Sequence, residues 1–461
     1  MRTGICLAIV YSIMCLPGIP GAGAHVWLTE QVAGNADVTY DCDLAIDSAG
    51  GLHVGLSTDY GDSDCVDYAH KGPGRDDWVI DSYDCVPIWF LGDYCAVALD
   101  SNGHFGAFYT YANDDTYVRV LKYAHFNGNE WHIEQVTPDD EFPLGSISLA
   151  YDSSDAPHVF YGEQHSSIWL RHEWFDGSTW QSEIVDSDDA EHVQALIDER
   201  DAIHLAYLRN NSHILSYGVH DGSGWQLTTV ETNSSSQFQG FDIALDQDGL
   251  PHIAYRAGVW QLKHAWFDGE CWHSETIHDD ALGYPSMAID EAGTIHICYS
   301  IFTEMYDRPL TYSSNDGCGW TTEEVDHAIR CWETALELDP DGQPHIIYHD
   351  QGAAATKHAW PRNAALVDGS GAKAGKAAPV RLKPAYPNPA PGCATIEFSL
   401  PVAGTTDLQL LDATGRAIAS QPLGHLAPGD HAIELESLPR GVIFYRLTAG
   451  AETATRKMVV R

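Results

Sequence analysis

The chain has 461 residues, enough for one large domain or several ordinary ones. Its 66 acids outweigh 24 lysines and arginines, giving a formal charge of −42 at pH 7. Such a field repels nucleic-acid phosphates and anionic membrane, which excludes nucleic-acid binding as a main role, and it favours cations or plain solubility.

Residues 1–24 run from Arg2 through an apolar stretch, Ile5 to Leu16, to the small residues Ala22-Gly23-Ala24. A charged start, a short apolar core and an A-x-A end read as a cleavable signal peptide, with His25 the first mature residue. The stretch is too short to span a bilayer, and no later segment is long and apolar enough for a transmembrane helix. Removing it leaves nine cysteines (42, 65, 85, 95, 271, 298, 318, 331 and 393), an odd number in a compartment that permits disulfides. Cys65 and Cys85 share what reads as an irregular insertion, where a local staple is expected. No Cys/His spacing matches a zinc motif.

From there the sequence repeats. An Asp ends an alternating strand at Asp47, Asp100, Asp152, Asp198, Asp246, Asp290 and Asp339, 44 to 53 residues apart. Six residues later stands His53, His158, His204, His252, His296 or His345, with Gly106 the exception; three further on comes Tyr109, Tyr161, Tyr207, Tyr255, Tyr299 or Tyr348, with Leu56 the exception. Each unit reads as four short strands, for example Asp242 to Asp246, His252 to Tyr255, Leu262 to Phe267 and Trp272 to Ile277. Asp268-Gly269 and its equivalents, such as Asn127-Gly128 and Asp176-Gly177, supply the tight turn between third and fourth strands. Four antiparallel strands every 40 to 50 residues predict propeller blades. The repeat is similar to that of secreted bacterial propellers carrying a D-x-x-G-x-x-H-I-x-Y unit, a resemblance that implies fold and not activity.

The count predicts seven blades. A Trp marks each outer strand (27, 78, 131, 180, 225, 272 and 320), and the seventh unit ends near Trp360 without one. The orphan strand at His25 to Val32 is expected to complete that blade and close the ring, hiding its edge. The histidines lie around a wide ring, too far apart to share one ion, so they read as buried imidazoles hydrogen-bonded between blades. The Trp and Tyr ladders read as core. The expected organisation is a signal peptide (1–24), a seven-bladed β-propeller (25–361), a flexible linker rich in Ala, Gly, Lys and Ser (362–378) and a small immunoglobulin-like β-sandwich (379–461), all-β throughout.

That last segment carries Tyr386-Pro387-Asn388-Pro389, Ala394 to Leu400 (ATIEFSL), Leu408 to Asp412 with Gly415-Arg416, Leu426 to His431 (LAPGDH), Gly441 to Leu447 (GVIFYRL) and a Lys457-Met458-Val459-Val460 ending. It resembles the type IX secretion sorting domain, with its YPNP opening, GVYFYRL-like strand and KMV-type end. The resemblance implies the type IX machinery as a partner of residues 379–461, and a secreted protein, extracellular or attached to the outer-membrane surface of a Bacteroidota-like Gram-negative cell.

The strand order puts the loops between second and third strands on one face with those joining successive blades. That face gathers acids, Asp114, Asp139, Asp188 and Asp279 among them, with the aromatics Trp89, Trp260, Tyr284, Tyr306 and Trp332. Aromatic faces stack on sugar rings, and carboxylates hold hydroxyls or a hard cation, for which Ca²⁺ is the candidate. Three functions compete: a glycan- or polymer-binding module, a glycoside hydrolase or lyase using paired carboxylates, and a structural or adhesive surface protein with a protein partner. A sialidase is disfavoured, because Ser314 to Trp320 has Gly317 one place too early for an Asp-box and no three arginines stand out as a carboxylate clamp. No nucleophile elbow, phosphate loop or dinucleotide fingerprint is present.

Overall fold

The computed structural model describes residues 25–34, 37–59, 63–75, 77–86, 91–112, 119–138, 143–233, 236–303, 308–328, 331, 334–361, 381–382, 394–400, 404–411, 416–426, 429–435, 438–449 and 452–461. Every regular element among them is a strand. Val26–Asn363 forms one compact unit, and a second takes in Ala364–Arg461. The signal-peptide stretch 1–24, the linker 362–378 and the YPNP motif lie outside the described residues.

The first unit holds seven four-stranded antiparallel sheets, numbered here in chain order: 37–86, 91–135, 143–186, 191–232, 238–278, 281–326, and 334–361 joined by Trp27–Gly34. The first strand of each sheet lies beside the first strand of the next, and Thr334–Leu338 of sheet 7 lies beside Asp37–Ile46 of sheet 1, so the succession returns on itself. Trp27–Gly34 pairs antiparallel with Ala355–Pro361, the third strand of sheet 7.

The turn chemistry explains the repeat. Each ladder aspartate turns Oδ1 onto two backbone N–H groups of the loop that follows: Asp47 takes those of Ala49 and Gly51 at 2.8 and 2.7 Å, and Asp339 those of Asp341 and Gln343 at 2.9 and 2.8 Å. This side-chain turn forces positive φ at the third residue, which is Gly50 in sheet 1 (φ 84°) and Asp155 in sheet 3 (φ 62°), residue types that tolerate it.

Neighbouring first strands are stitched by side chains. Asp43 Oδ2 accepts from Val97 N (2.8 Å), Ser148 Oγ from Ala195 N (2.9 Å), Asp242 Oδ2 from Met287 N (2.8 Å) and Ser286 Oγ from Leu336 N (3.0 Å). These bonds satisfy edge N–H groups that no strand reaches. Between sheets the filling is largely apolar, and tyrosine hydroxyls cross it to the preceding sheet: Tyr109 donates to Asp84 at 2.8 Å, Tyr207 to Asp186 at 2.9 Å and Tyr348 to Asp326 at 2.6 Å. Tyr109, Tyr161, Tyr207, Tyr255, Tyr299 and Tyr348 are wholly buried among branched aliphatics, and each large buried apolar side chain stabilises by about 1.5–3 kcal/mol.

The ladder histidines bond within their own sheets, which corrects the expectation of bonds between blades. In sheets 1, 4 and 6, Nδ1 meets a third-strand tyrosine: His53 with Tyr68, His204 with Tyr217 and His296 with Tyr312, at 2.6, 2.6 and 2.5 Å. In sheets 3, 5 and 7 it meets a second imidazole: His158 with His172, His252 with His264 and His345 with His358, each at 2.9 Å. The reason is register, because a side chain on the second strand faces the third strand of its own sheet more closely than anything beyond. A glutamate the repeat reading passed over also crosses to the next sheet. Glu183 takes His172 Nδ1 at 3.0 Å and Trp225 Nε1 of sheet 4 at 2.9 Å. Glu275 does the same for His264 and Trp320, and Glu30 for His358 and Trp78.

Cys65 and Cys85 form a disulfide, but not in an irregular insertion: they stand opposite each other on Asp64–Lys71 and Val79–Val86, the third and fourth strands of sheet 1.

In the second unit, Arg381–Leu382, Ala394–Leu400 and Gly429–Leu435 make one sheet. Ala417–Leu426, Gly404–Leu411, Gly441–Ala449 and Glu452–Val460 make another. Ile396, Phe398, Leu410, Tyr445, Leu447 and Met458 from both sheets share one core.

Candidate functional site

Of the nine loop residues singled out from the sequence, Trp89, Asp114, Asp139, Tyr306 and Trp332 lie outside the described residues; Asp188, Trp260, Asp279 and Tyr284 lie within them. Trp260 closes the turn between Pro251–Ala257 and Gln261–Phe267 of sheet 5, where Gly258 supplies a φ of 67°. The segment Asp279-Asp280-Ala281 connects sheet 5 to sheet 6 and is pinned from both sides. Ala281 N donates to Trp260 O at 2.6 Å, and Phe302 N donates to Asp280 O at 2.8 Å.

This pinning brings two rings together. Trp260 and Phe302 have centroids 4.9 Å apart at 46°, and both are 39% exposed. Asp279 stands beside them, its Oδ1 accepting from Gln261 Nε2 at 3.2 Å. Phe302, just past strand Ile295–Ile301, was not singled out from the sequence. The available signal was its place one residue beyond a strand end, on the same side as Trp260 in the neighbouring unit.

Tyr284, 41% exposed, sits on the first strand of sheet 6, Ala281–Ile289. Gly240 allows its position: φ there is 54°, and a Cβ would stand 2.6 Å from Tyr284 Cδ1. Arg256, within electrostatic reach of Tyr284, is buried, and among the described residues its Nε and Nη1 have no hydrogen-bond partner. Burial pulls its pKa down, with the like charge of Arg308 adding to the fall and Tyr284 opposing it. Asp188 is exposed in a different connection, between sheets 3 and 4, where its N–H is held by Asp186 Oδ1 at 3.0 Å. The structure therefore groups Trp260, Phe302 and Asp279 at one connection and Asp188 at another.

An exposed aromatic pair of this kind can cover the apolar face of a ring while the adjacent carboxylate accepts from hydroxyls. On the first strands of sheets 1, 5 and 7, Asp43 feels the charge of Asp242, and Glu337 feels those of Asp242 and Asp43. Burial pushes Asp43 and Asp242 up to about 6; burial, then the charges of Asp242 and Asp43, pushes Glu337 up to about 8. The Glu337 side chain still reaches water.

Residues 384–461 match the family model described as the secretion system C-terminal sorting domain. That tail marks proteins exported by type IX secretion and then attached to the cell surface or released, and it implies contact with the type IX machinery. Among the described residues no helix is long and apolar enough to cross a membrane. No curated protein matches the chain. Among solved structures, an ulvan lyase described as a new family of polysaccharide lyase is 13% identical over 71% of this chain and 94% of its own, with a TM-score of 0.50. A protein of unknown function from Dyadobacter fermentans is 9% identical over 63% of this chain and 98% of its own, TM-score 0.46. The Aleuria aurantia lectin, solved with α-methyl-L-fucoside, is 13% identical over 64% and 98%, TM-score 0.44. At such identities the likeness is one of fold, a propeller-like set of four-stranded sheets.

Proposed function

We propose that this is an exported glycan-binding protein: a seven-bladed propeller (25–361) closed by its N-terminal strand, a linker (362–378) and an immunoglobulin-like sorting domain (379–461). The ligand is a glycan or other extracellular polymer, held where sheets 5 and 6 meet. The observation that carries the reading is the Trp260–Phe302 pair, exposed on both rings yet fixed through the backbone bonds of residues 280 and 281. Exposed rings held rigid lose little entropy on binding, which suits stacking on a sugar. The net charge of −42 favours a neutral, hydroxyl-rich polymer over a polyanion. Ca²⁺ bridging through Asp279 and Asp280 is the cation arm of the same reading.

The test is a glycan array on the full secreted chain, run with Ca²⁺ and with chelator, comparing wild type with Trp260→Ala and Phe302→Ala. The expected result is binding to a neutral glycan that falls at least tenfold in either variant. Silence under both conditions, or binding that ignores both substitutions, overturns the reading and moves the weight to a protein partner. Turnover of the bound glycan would instead favour the hydrolase or lyase alternative.

A further inference from the structure

In six of the seven sheets the ladder aspartate offers Oδ2 to Nε2 of one ladder histidine, at 3.2 Å in the Asp47–His53 pair and 3.7 Å in Asp198–His204. Sheet 2 departs from this plan, because Gly106 stands where that histidine belongs. Asp100 is nonetheless built like its counterparts, with Oδ1 accepting from the N–H groups of Asn102 and His104 at 2.9 and 2.8 Å. Its Oδ2 is left facing two imidazoles, His104 Nδ1 at 3.0 Å and His125 Nε2 at 3.5 Å.

The His104 imidazole does not belong to the repeat, and a histidine at the place of His125 recurs only in sheet 1, as His70. The position of His104 holds Gly51, Ala156, Ala202, Leu250, Thr294 or Gln343 in the other six turns. His125 lies directly across the ladder from Gly106. The space a side chain at 106 would need is occupied from sheet 3, where the Tyr151 hydroxyl stands 1.9 Å from the place of a Cβ and bonds Tyr123 Oη at 2.6 Å. The turn itself is clamped, since Ser101 N and Oγ donate to Asp155 of sheet 3 at 2.7 and 2.8 Å.

We propose that Asp100, His104 and His125 form a binding site for a divalent transition metal, Zn²⁺ first among them. Their three donor atoms lie within 4.8 Å of one another. A tetrahedral ion with ligands at about 2.0–2.1 Å has donor–donor edges of about 3.3 Å, which the two Asp100 distances bracket. The imidazole planes are perpendicular, with centroids 5.7 Å apart, so both nitrogens address one point without the rings colliding. Asp100 is only 8% exposed, whereas the His104 and His125 side chains are 33% and 24% exposed, which leaves the remaining coordination positions to water or a ligand. Two imidazoles and one carboxylate suit the borderline ions of the first transition row better than Ca²⁺, which takes six to eight oxygens. The turn lies at the opposite strand ends from Trp260, so the site is independent of the glycan face.

A second group, Asp268, Cys271 and His273 on the sheet 5 hairpin, could compete for metal and must be separated from the first. The test loads the chelator-stripped full chain, carrying Cys271→Ser and His273→Ala, with Co²⁺ and then displaces it with Zn²⁺. The expected result is one Co²⁺ with visible d–d absorption and no thiolate charge-transfer band, and an affinity at least tenfold weaker in His104→Ala and in His125→Ala. Zn²⁺ should also raise the melting temperature of the parent and not of those two variants. Binding that vanishes with the Cys271→Ser and His273→Ala changes, or that survives both His104→Ala and His125→Ala, overturns the site. In that event the two imidazoles simply donate to Asp100.

Discussion

Replacing Glu30 by Gln removes one charge from the strand that completes sheet 7. Glu30 receives Lys71 Nζ on both carboxylate oxygens at 2.7 Å, Trp78 Nε1 at 3.0 Å and His358 Nδ1 at 3.0 Å. Burial alone would raise its pKa, but the bonds from His358 and Lys71 outweigh that and hold it down to about 2, from 4.5. The side chain is 24% exposed, so solvent screens the charge only in part. Holding the carboxyl at about 2 in place of 4.5 corresponds to about 3 kcal/mol favouring the folded state. Because the folded pKa is the lower one, that stability is complete above about pH 4.5 and is lost as pH falls through 2, with less than half remaining near pH 3. Glu30→Gln should therefore open residues 27–34 and 355–361 roughly a hundredfold more often at pH 7, read by hydrogen exchange. By urea unfolding, the penalty should shrink to less than half at pH 3. Unchanged protection at pH 7, or an equal penalty at both pH values, would refute the charge-based account.

Two further outcomes are expected. Glu337→Gln should stabilise the protein only at high pH: with the folded pKa raised to about 8, the wild type loses stability as pH climbs from about 4.5 through 8, and the variant does not. Melting temperatures at pH 4.5 and 9 check this, and an equal difference at both would count against a Glu337 carboxyl raised by burial and by the charges of Asp242 and Asp43. Replacing both Cys65 and Cys85 by Ser frees a loop of 20 residues and should cost about 3 kcal/mol in denaturant unfolding; no loss would mean the strands alone hold the pair.

The repeat was legible because its spacing carries turn chemistry. An aspartate that must cap two N–H groups, followed by a residue of positive φ, recurs wherever the turn recurs, and Asp47 to Asp339 could be read without coordinates. Partners across sheets were not legible in that way. Glu30, Glu134, Glu183 and Glu275 each follow a tryptophan by three residues, yet nothing in that spacing says that the carboxylate reaches the tryptophan of the next sheet. The same limit misdirected the histidines, whose nearest neighbours are set by register. At the candidate site, Trp260 and Asp279 were visible as loop residues of the right types. Their partner Phe302 was not, because its place follows from two backbone hydrogen bonds, Ala281 to Trp260 and Phe302 to Asp280, that join residues 21 and 22 apart in sequence.

The bond from His358 to Glu30 joins residues 328 apart in sequence. Bringing such distant points together costs on the order of 5 kcal/mol in chain entropy, so it waits until everything between them has taken shape. Until then the third strand of sheet 7, Ala355–Pro361, presents a bare edge, and residues 27–34 are a loose strand of matching register. At high concentration each molecule's loose strand meets other molecules' edges as readily as its own. Chains refolded in a crowd would then emerge as dimers and short strings that trade first strands, while chains folded singly as they leave the cell would close upon themselves.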